Sequence, residues 1–251
     1  MIGIMSAMEE EIRLLSADLV VKAERIIANR QYQTGTLYGK EVVIVLSRWG
    51  KVAASQTATT LINLFDVDSI IFTGVAGGAD PTLSIGDIVI SSELVQHDVD
   101  ASAVPPMKRF EIPLLGISHF QADVTMADAA YFAAKEYVKN ELQKEVPAKY
   151  LEKYKIAMPQ VMKGLVASGD QFIADPMKLL ELRTILPELK CVEMEGAAVA
   201  QVCYEHSIPF LAIRIVSDKA DHSAAIDFPM FVEHIAAHYT RRIVKGMLER
   251  L

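Results

Sequence analysis

Apolar residues along this chain fall in short blocks separated by segments of helical spacing. Residues 1–7 (MIGIMSA) read as a buried strand and residues 9–19 (EEEIRLLSADL) as the helix after it. Residues 23–28, 30–39 and 41–49 read as strands joined by turns at Asn29 and Gly39–Lys40. Residues 50–65 form a helix whose Ala, Ser and Thr content permits close packing. Residues 69–78 (SIIFTGVAGG) and 86–98 (GDIVISSELVQHD) are strands again. Residues 104–122 carry Pro105, Pro106, Pro113 and Gly116 and are expected to be a long loop. Beyond it come a helix over 126–145, a strand running into a loop over 163–173, and a helix from Pro176 to about Leu186. Residues 191–195 (CVEME) form a strand feeding a helix over 196–206. Residues 209–218 are a strand, and a last helix starts near Phe228 or Phe231 and runs to the end.

Apolar strands alternating with helices predict an α/β fold with three layers, α/β/α, around a central mixed, largely parallel twisted sheet. With no fixed-period repeat and no linker, residues 1–251 are expected to form a single domain.

Composition narrows the partners. Hydrophobic residues make up 51% and charged residues 23%, a globular balance. The net charge of −7, without a basic run, argues against nucleic acid as a partner. No apolar stretch has membrane-span length, so no membrane partner is expected. The opening residues lack the positive start of a secretory leader, and Cys191 and Cys203 are expected as free thiols in a cytoplasmic protein.

Candidate chemistry concentrates at strand ends, where α/β proteins bind ligands. TGVAGG (73–78) is neither a dinucleotide nor a P-loop motif, and suits a ligand site and a plain tight turn equally. His234 and His238 lie i, i+4, but Glu233 precedes the first His, against the zincin order, and no third ligand is evident. His97, Asp98 and Asp100 could be an acid–base group or ordinary loop polarity. Glu9 and Glu10 read as a solvated first helical turn, whereas Glu11 faces another way, close to a strand end. VEMEGAA (192–198) and RIVSDKAD (214–221) place carboxylates at the ends of apolar strands, where burial without a partner is costly. Small residues after Glu195 let the helix start press against the sheet, as a backbone lining a pocket would.

Taken together, GIMSAMEEE, TGVAGG, SGDQFI, VEMEGAAVAQVC and RIVSDKAD resemble, in order and over nearly the whole chain, the 5′-methylthioadenosine/S-adenosylhomocysteine nucleosidases of the purine nucleoside phosphorylase superfamily. LVQHDVDASA also resembles the branch that cleaves aminodeoxyfutalosine. The resemblance implies a nucleoside phosphorylase-like fold and hydrolysis of 5′-substituted adenosines to adenine and free sugar. It casts Asp218 as the general acid for the departing adenine and Glu11 as the base that activates water. Glu195 would grip the ribose hydroxyls over Met194, while Arg214 would position water and carboxylates. Phe172 would stack on adenine and the Ile173 backbone would bond its edge. Met8 and Phe228 would wall the sugar and its 5′-substituent, with Gly77, Glu193 and Ser217 also in the substrate site. Neither metal nor organic cofactor is expected; the partners implied are a nucleoside, water and a second copy in a homodimer. Val75, where many relatives carry Ser, and Trp49, where a smaller aliphatic residue is usual, depart from the pattern. A phosphorolytic enzyme and a silent nucleoside-binding protein are the competing readings.

Overall fold

The computed structural model describes residues 1–221 and 224–251, with the backbone alone for 224–227. Elements follow in the order β1 (Ile2–Ser6), α1 (Glu9–Ala17), β2 (Val20–Ile27), β3 (Arg30–Leu37), β4 (Lys40–Leu46), α2 (Lys51–Phe65), β5 (Ser69–Gly78) and β6 (Ile88–Gln96). The second half contains β7 (His119–Gln121), α3 (Val124–Asn140), α4 (Leu142–Glu145), α5 (Ala148–Lys153), β8 (Val161–Ser168), α6 (Pro176–Ile185) and β9 (Leu189–Glu193). It closes with α7 (Gly196–Glu205), β10 (Phe210–Asp218), α8 (Ala224–Phe231), a π-helical turn (Val232–Ala236) and α9 (Ala237–Leu248).

Side chains that alternate across the strands divide the interior in two. Ile4, Ile44 and Ile71 face α1, α3 and α9, while Met5, Val43, Ile70 and Phe72 face α2 and α7. The outcome is the three-layer arrangement expected. The mixed sheet runs β10-β6-β8-β9-β5-β1-β4-β3-β2, and β10 pairs with β5 as well, closing a ring of β5, β10, β6, β8 and β9. Parallel pairs join β1 to β4 and β5, β5 to β10, and β8 to β6 and β9. Antiparallel pairing occurs in β2–β3–β4, at β6 with β7 and β10, and between β5 and β9. That last pair meets only through Gly77–Val192 and Gly78–Cys191, so the carboxyl ends of β5 and β9 converge. Convergent strand ends are where this fold has room for a ligand.

Several expected boundaries move. The loop expected over 104–122 ends in the short edge strand β7, and Asp123 then caps α3 by accepting from Met126 N–H at 2.8 Å. The helix expected over 126–145 stops at Asn140 and resumes as the one-turn α4. The C-terminal helix begins earlier than expected, at Ala224, carries Pro229 and passes through the π-helical turn, so three segments replace one helix. Among the described residues no helix is long and apolar enough to cross a membrane.

Candidate active site

Strand ends and the loops after them line a cavity, the kind of concave site in which small molecules bind. Met8 and Glu11 enter from the start of α1, Gly77 from β5, Phe172 and Ile173 from the segment after β8. Glu193, Met194 and Glu195 come from the β9–α7 junction, Ser217 and Asp218 from β10, and Phe228 from α8. All the site residues expected from sequence therefore line one cavity, with the exception of Arg214.

Glu11 occupies the third position of α1 and reaches back to its start, a carboxylate at the positive end of a helix. Its Oε2 accepts from Ser6 Oγ at 2.5 Å, Met8 N–H at 3.0 Å and Ala7 N–H at 3.2 Å, while Val75 N–H donates to Oε1 at 2.9 Å. That approach requires Gly74, because a Cβ there would lie 2.8 Å from Oε1. Burial raises the Glu11 carboxyl above its ordinary value, and the Ser6, Val75 and Met8 donors together with the Arg214 charge oppose the rise. Glu11 thus combines a capping role with a place on the cavity wall.

The two glutamates of VEME divide their work. Glu193 is engaged at both oxygens: Arg214 Nη2 donates to Oε2 at 2.7 Å, Ser168 Oγ donates to Oε1, and the Glu195 and Gly196 N–H groups point at the same carboxylate. It anchors the start of α7 more than it reaches into the cavity. Arg214 lies behind it, fully buried, with Nη1 donating to the Phe72 and Ile213 carbonyls and its guanidinium 4.3 Å from the Phe72 ring centre. Arg214 is not among the residues lining the cavity; it holds Glu193, and through it the α7 junction. Gly196 makes the fit possible, since a Cβ there would meet Leu94 at 2.9 Å and Arg214 Nη2 at 3.3 Å.

Glu195 points inward. Its Oε1 accepts from Gly50 N–H at 2.7 Å, and Oε2 has no hydrogen bond among the described residues. Burial first, then the charges of Glu193 and Glu11, push its carboxyl well above the ordinary range. Asp218 is also buried, accepting from Ser217 Oγ and from Ala220 N–H, both at 2.8 Å. Gly77 must stay small beside it, because a Cβ would lie 3.1 Å from Asp218 Oδ1 and 2.9 Å from Ala220 Cβ.

Apolar walls complete the space. Phe172, 44% exposed, and Trp49, 53% exposed, both meet Phe228 edge to face, at 5.6 and 6.1 Å between ring centres. Val75, Ala76 and Gln171 also line the cavity without having been expected to bind, as do Ala7 and Val192. Ser168 and Gly50 were missed as supports; the φ of +90° at Gly50, which glycine adopts freely, has no sequence marker beyond the glycine itself. Of the other clusters, Asp98 pairs with Lys51 at 2.6 Å, and Asp100 caps Ser102. His234 stacks on Tyr150 at 4.3 Å, and no group of three or more His, Cys, Asp or Glu among the described residues is placed to hold a metal ion.

The chain as a whole has counterparts among known proteins. The family model of the phosphorylase superfamily matches residues 1–249, and the chain belongs to that superfamily. It is 37% identical over 257 residues to the 5′-methylthioadenosine/S-adenosylhomocysteine nucleosidase of Anoxybacillus flavithermus, covering 100% of this chain and 98% of the relative. Among solved structures it is similar to the nucleosidase of that name from Colwellia psychrerythraea in complex with adenine (TM-score 0.87, 33% identity, 100% and 95% covered). It is also similar to the one from Neisseria meningitidis in complex with methylthio-immucillin-A (TM-score 0.85, 34% identity, 100% and 99% covered).

Proposed function

We propose that the protein is an N-glycosyl hydrolase that cleaves 5′-substituted adenosines to adenine and the free 5′-substituted ribose. One observation carries this reading: Glu11, Glu195 and Asp218 reach one aromatic-walled cavity from three separate parts of the chain. The full-length likeness to nucleosidases named for methylthioadenosine and adenosylhomocysteine supports it.

Breaking the bond between ribose and adenine builds positive charge on the sugar. Carboxylates held in place around the sugar stabilise that charge more than they stabilise the neutral substrate. Adenine is a poor leaving group as an anion and a good one once protonated. Asp218, beside Ser217, gives it the proton. Glu11, held by its four donors at the mouth of α1, takes the proton from the attacking water. Glu195, with Oε2 open to the cavity, holds the ribose hydroxyls above Met194. Phe172 stacks on the base, whose edge meets the Ile173 backbone, while Met8 and Phe228 wall the sugar. Glu193, Ser217 and Gly77 act mainly by setting the positions of these groups, and Arg214 acts through Glu193.

Phosphorolysis fits less well. No Lys, Arg or His is among the lining residues described, and Arg214, buried behind the cavity wall, is committed to Glu193. A phosphate would therefore face Glu11 without a counter-charge. Incubation with methylthioadenosine in phosphate-free buffer tests the proposal: adenine and free methylthioribose should accumulate. Adenine release that depends on added phosphate and yields a sugar phosphate would refute it. Rates on adenosylhomocysteine, 5′-deoxyadenosine and aminodeoxyfutalosine in the same assay rank the 5′-substituent, for which the Trp49–Phe228 wall adds aromatic surface.

We further infer a single domain acting in the cytoplasm as a homodimer. The buried thiols of Cys191 and Cys203 suit a reducing compartment. Val104 and Leu114, 64% and 96% exposed, give the segment after β6 apolar surface for a second copy to cover. Sedimentation should find about twice the 27.7 kDa chain mass, and a monomer at micromolar concentration would refute the dimer.

A further inference from the structure

Glu195 owes its one protein donor to Gly50, yet the turn that bears Gly50 is held by residues outside the cavity. Lys51 N–H donates to Asp170 Oδ1 at 2.8 Å, and Asp170 N–H donates to Asp98 Oδ2 at 2.9 Å. The loop closes where Lys51 Nζ meets Asp98 Oδ1 at 2.6 Å, with a second bond to Gln96 Oε1 at 3.0 Å. Three segments distant in sequence are joined in this way: the β4–α2 turn, the end of β6 and the segment leaving β8. The fit is tight on both sides. A Cβ on Gly50 would lie 3.0 Å from Asp170 Oδ1, and one on Gly169 would lie 2.4 Å from the His97 ring. The side chains of Lys51 and Asp98 are 17% and 18% exposed, so their attraction is less screened than that of a surface pair. Asp170 stands directly before Gln171, Phe172 and Ile173 of the cavity wall.

We propose that Lys51, Asp98 and Asp170 are positioning residues that clamp the Gly50 N–H onto the Glu195 carboxylate and tie that bond to the segment bearing Phe172 and Ile173. This rests on the nucleosidase reading of the cavity. The groups facing Glu195 are Glu193 from β9, Glu11 from α1 and Arg214 from β10, and the Gly50 N–H opposes the rise of its carboxyl. Those facing Asp98 are Lys51 and His97, with the Asp170 N–H. Loosening the clamp withdraws a donor that favours the charged form of Glu195, so a higher pH is needed to ionise it. Turnover suffers more than substrate capture, because a small misplacement of the group opposite the developing charge is felt chiefly in the transition state.

The test uses Lys51→Met, Asp98→Asn and the conservative Lys51→Arg in the full chain, each with a thermal melt. Lys51→Met and Asp98→Asn should lower kcat about tenfold with KM changed less than about threefold. The acid limb of their kcat/KM profiles should move to higher pH, and Lys51→Arg should recover most of the loss. Adding Asp98→Asn to Glu195→Gln should cost little beyond Glu195→Gln alone, as expected of coupled residues. Trp49, the single tryptophan and the neighbour of Gly50, supplies a readout independent of activity: iodide should quench it more in both disrupting variants. An unmoved pH profile, full multiplicativity with Glu195→Gln, or unchanged quenching in folded variants would overturn the clamp. If the wild type releases no adenine, the nucleosidase reading falls, and the quenching result alone decides whether the clamp sets this turn.

Discussion

Helix α1 has a carboxylate at each end, Glu11 in its first turn and Asp18 as its C-terminal cap, and their surroundings act in opposite directions. Glu11 is buried against the cavity, and burial raises its carboxyl despite its donors. Asp18 accepts from Arg241 Nε at 2.6 Å and Nη2 at 2.8 Å, as well as from the Tyr38 hydroxyl, and these bonds hold it below its ordinary value. A paired carboxylate at the seam between α1 and α9 stabilises the fold as an anion. A carboxylate buried at the cavity wall makes the anion costly, and the rest of the molecule must offset it. Glu195 follows the Glu11 pattern, with the charges of Glu193 and Glu11 adding to its burial.

Glu11→Gln should break the cavity end most severely. Adenine release should fall by about two powers of ten, as loss of a general base commonly brings. Stability should fall as well, by about 1–3 kcal/mol, because one side of the new amide would turn an N–H toward a backbone donor at Ala7, Met8 or Val75. Glu195→Gln separates the two effects. Its carbonyl can keep the Gly50 bond, so turnover should drop about a hundredfold while the melting temperature rises by about 2–4 °C at neutral pH. The sign follows from the raised carboxyl: its contribution to stability is complete below its ordinary 4.5 and is lost as pH climbs toward the folded value. The gap between variant and wild type should thus be absent near pH 4 and widen upward. The opposite gap would contradict the assignment.

At the other end, Asp18→Asn should cost about 1 kcal/mol near pH 7, or about 2–4 °C, with adenine release unchanged. Asp18 has a lowered carboxyl, so its stabilisation is present above its ordinary 3.8 and disappears as pH falls through the folded value. Thermal melts of wild type and variant should converge in acid, the reverse of the Glu195→Gln trend. Glu9→Gln and Glu10→Gln should be nearly silent, within about 0.5 kcal/mol, since both side chains face solvent. A hundredfold loss in either would erase the distinction between the outer and inner faces of α1.

Much of this contrast is legible in the sequence. Strands such as β1, β5 and β10 are apolar on both faces, and the carboxylates that follow them stand out because such strands end at ligand sites. Glu11 separates from Glu9 and Glu10 by helical spacing alone. Spacing does not separate Glu193 from Glu195, which only the family resemblance distinguishes: two positions apart, they look alike until Arg214 and Ser168 take one of them. Gly50, Asp98 and Asp170 carry no local sign of their joint role, since their bonds span chain separations that periodicity does not reach. The convergence of β5 and β9 is likewise a product of sheet closure. Pro229 could have marked the break in the C-terminal helix, but helical spacing on either side of it masks where the helix begins.

The most direct measurement is adenine release from methylthioadenosine by Asp218→Asn beside the wild type, with thermal melts confirming that both are folded. The replacement keeps the side-chain shape and can still accept from Ala220 N–H, but it has no proton to give to the leaving adenine. Turnover is predicted to fall by about two powers of ten or more with the melting temperature little changed. A folded variant that releases adenine at near the wild-type rate would contradict the assignment of Asp218 as the general acid, and with it the account of how this cavity works.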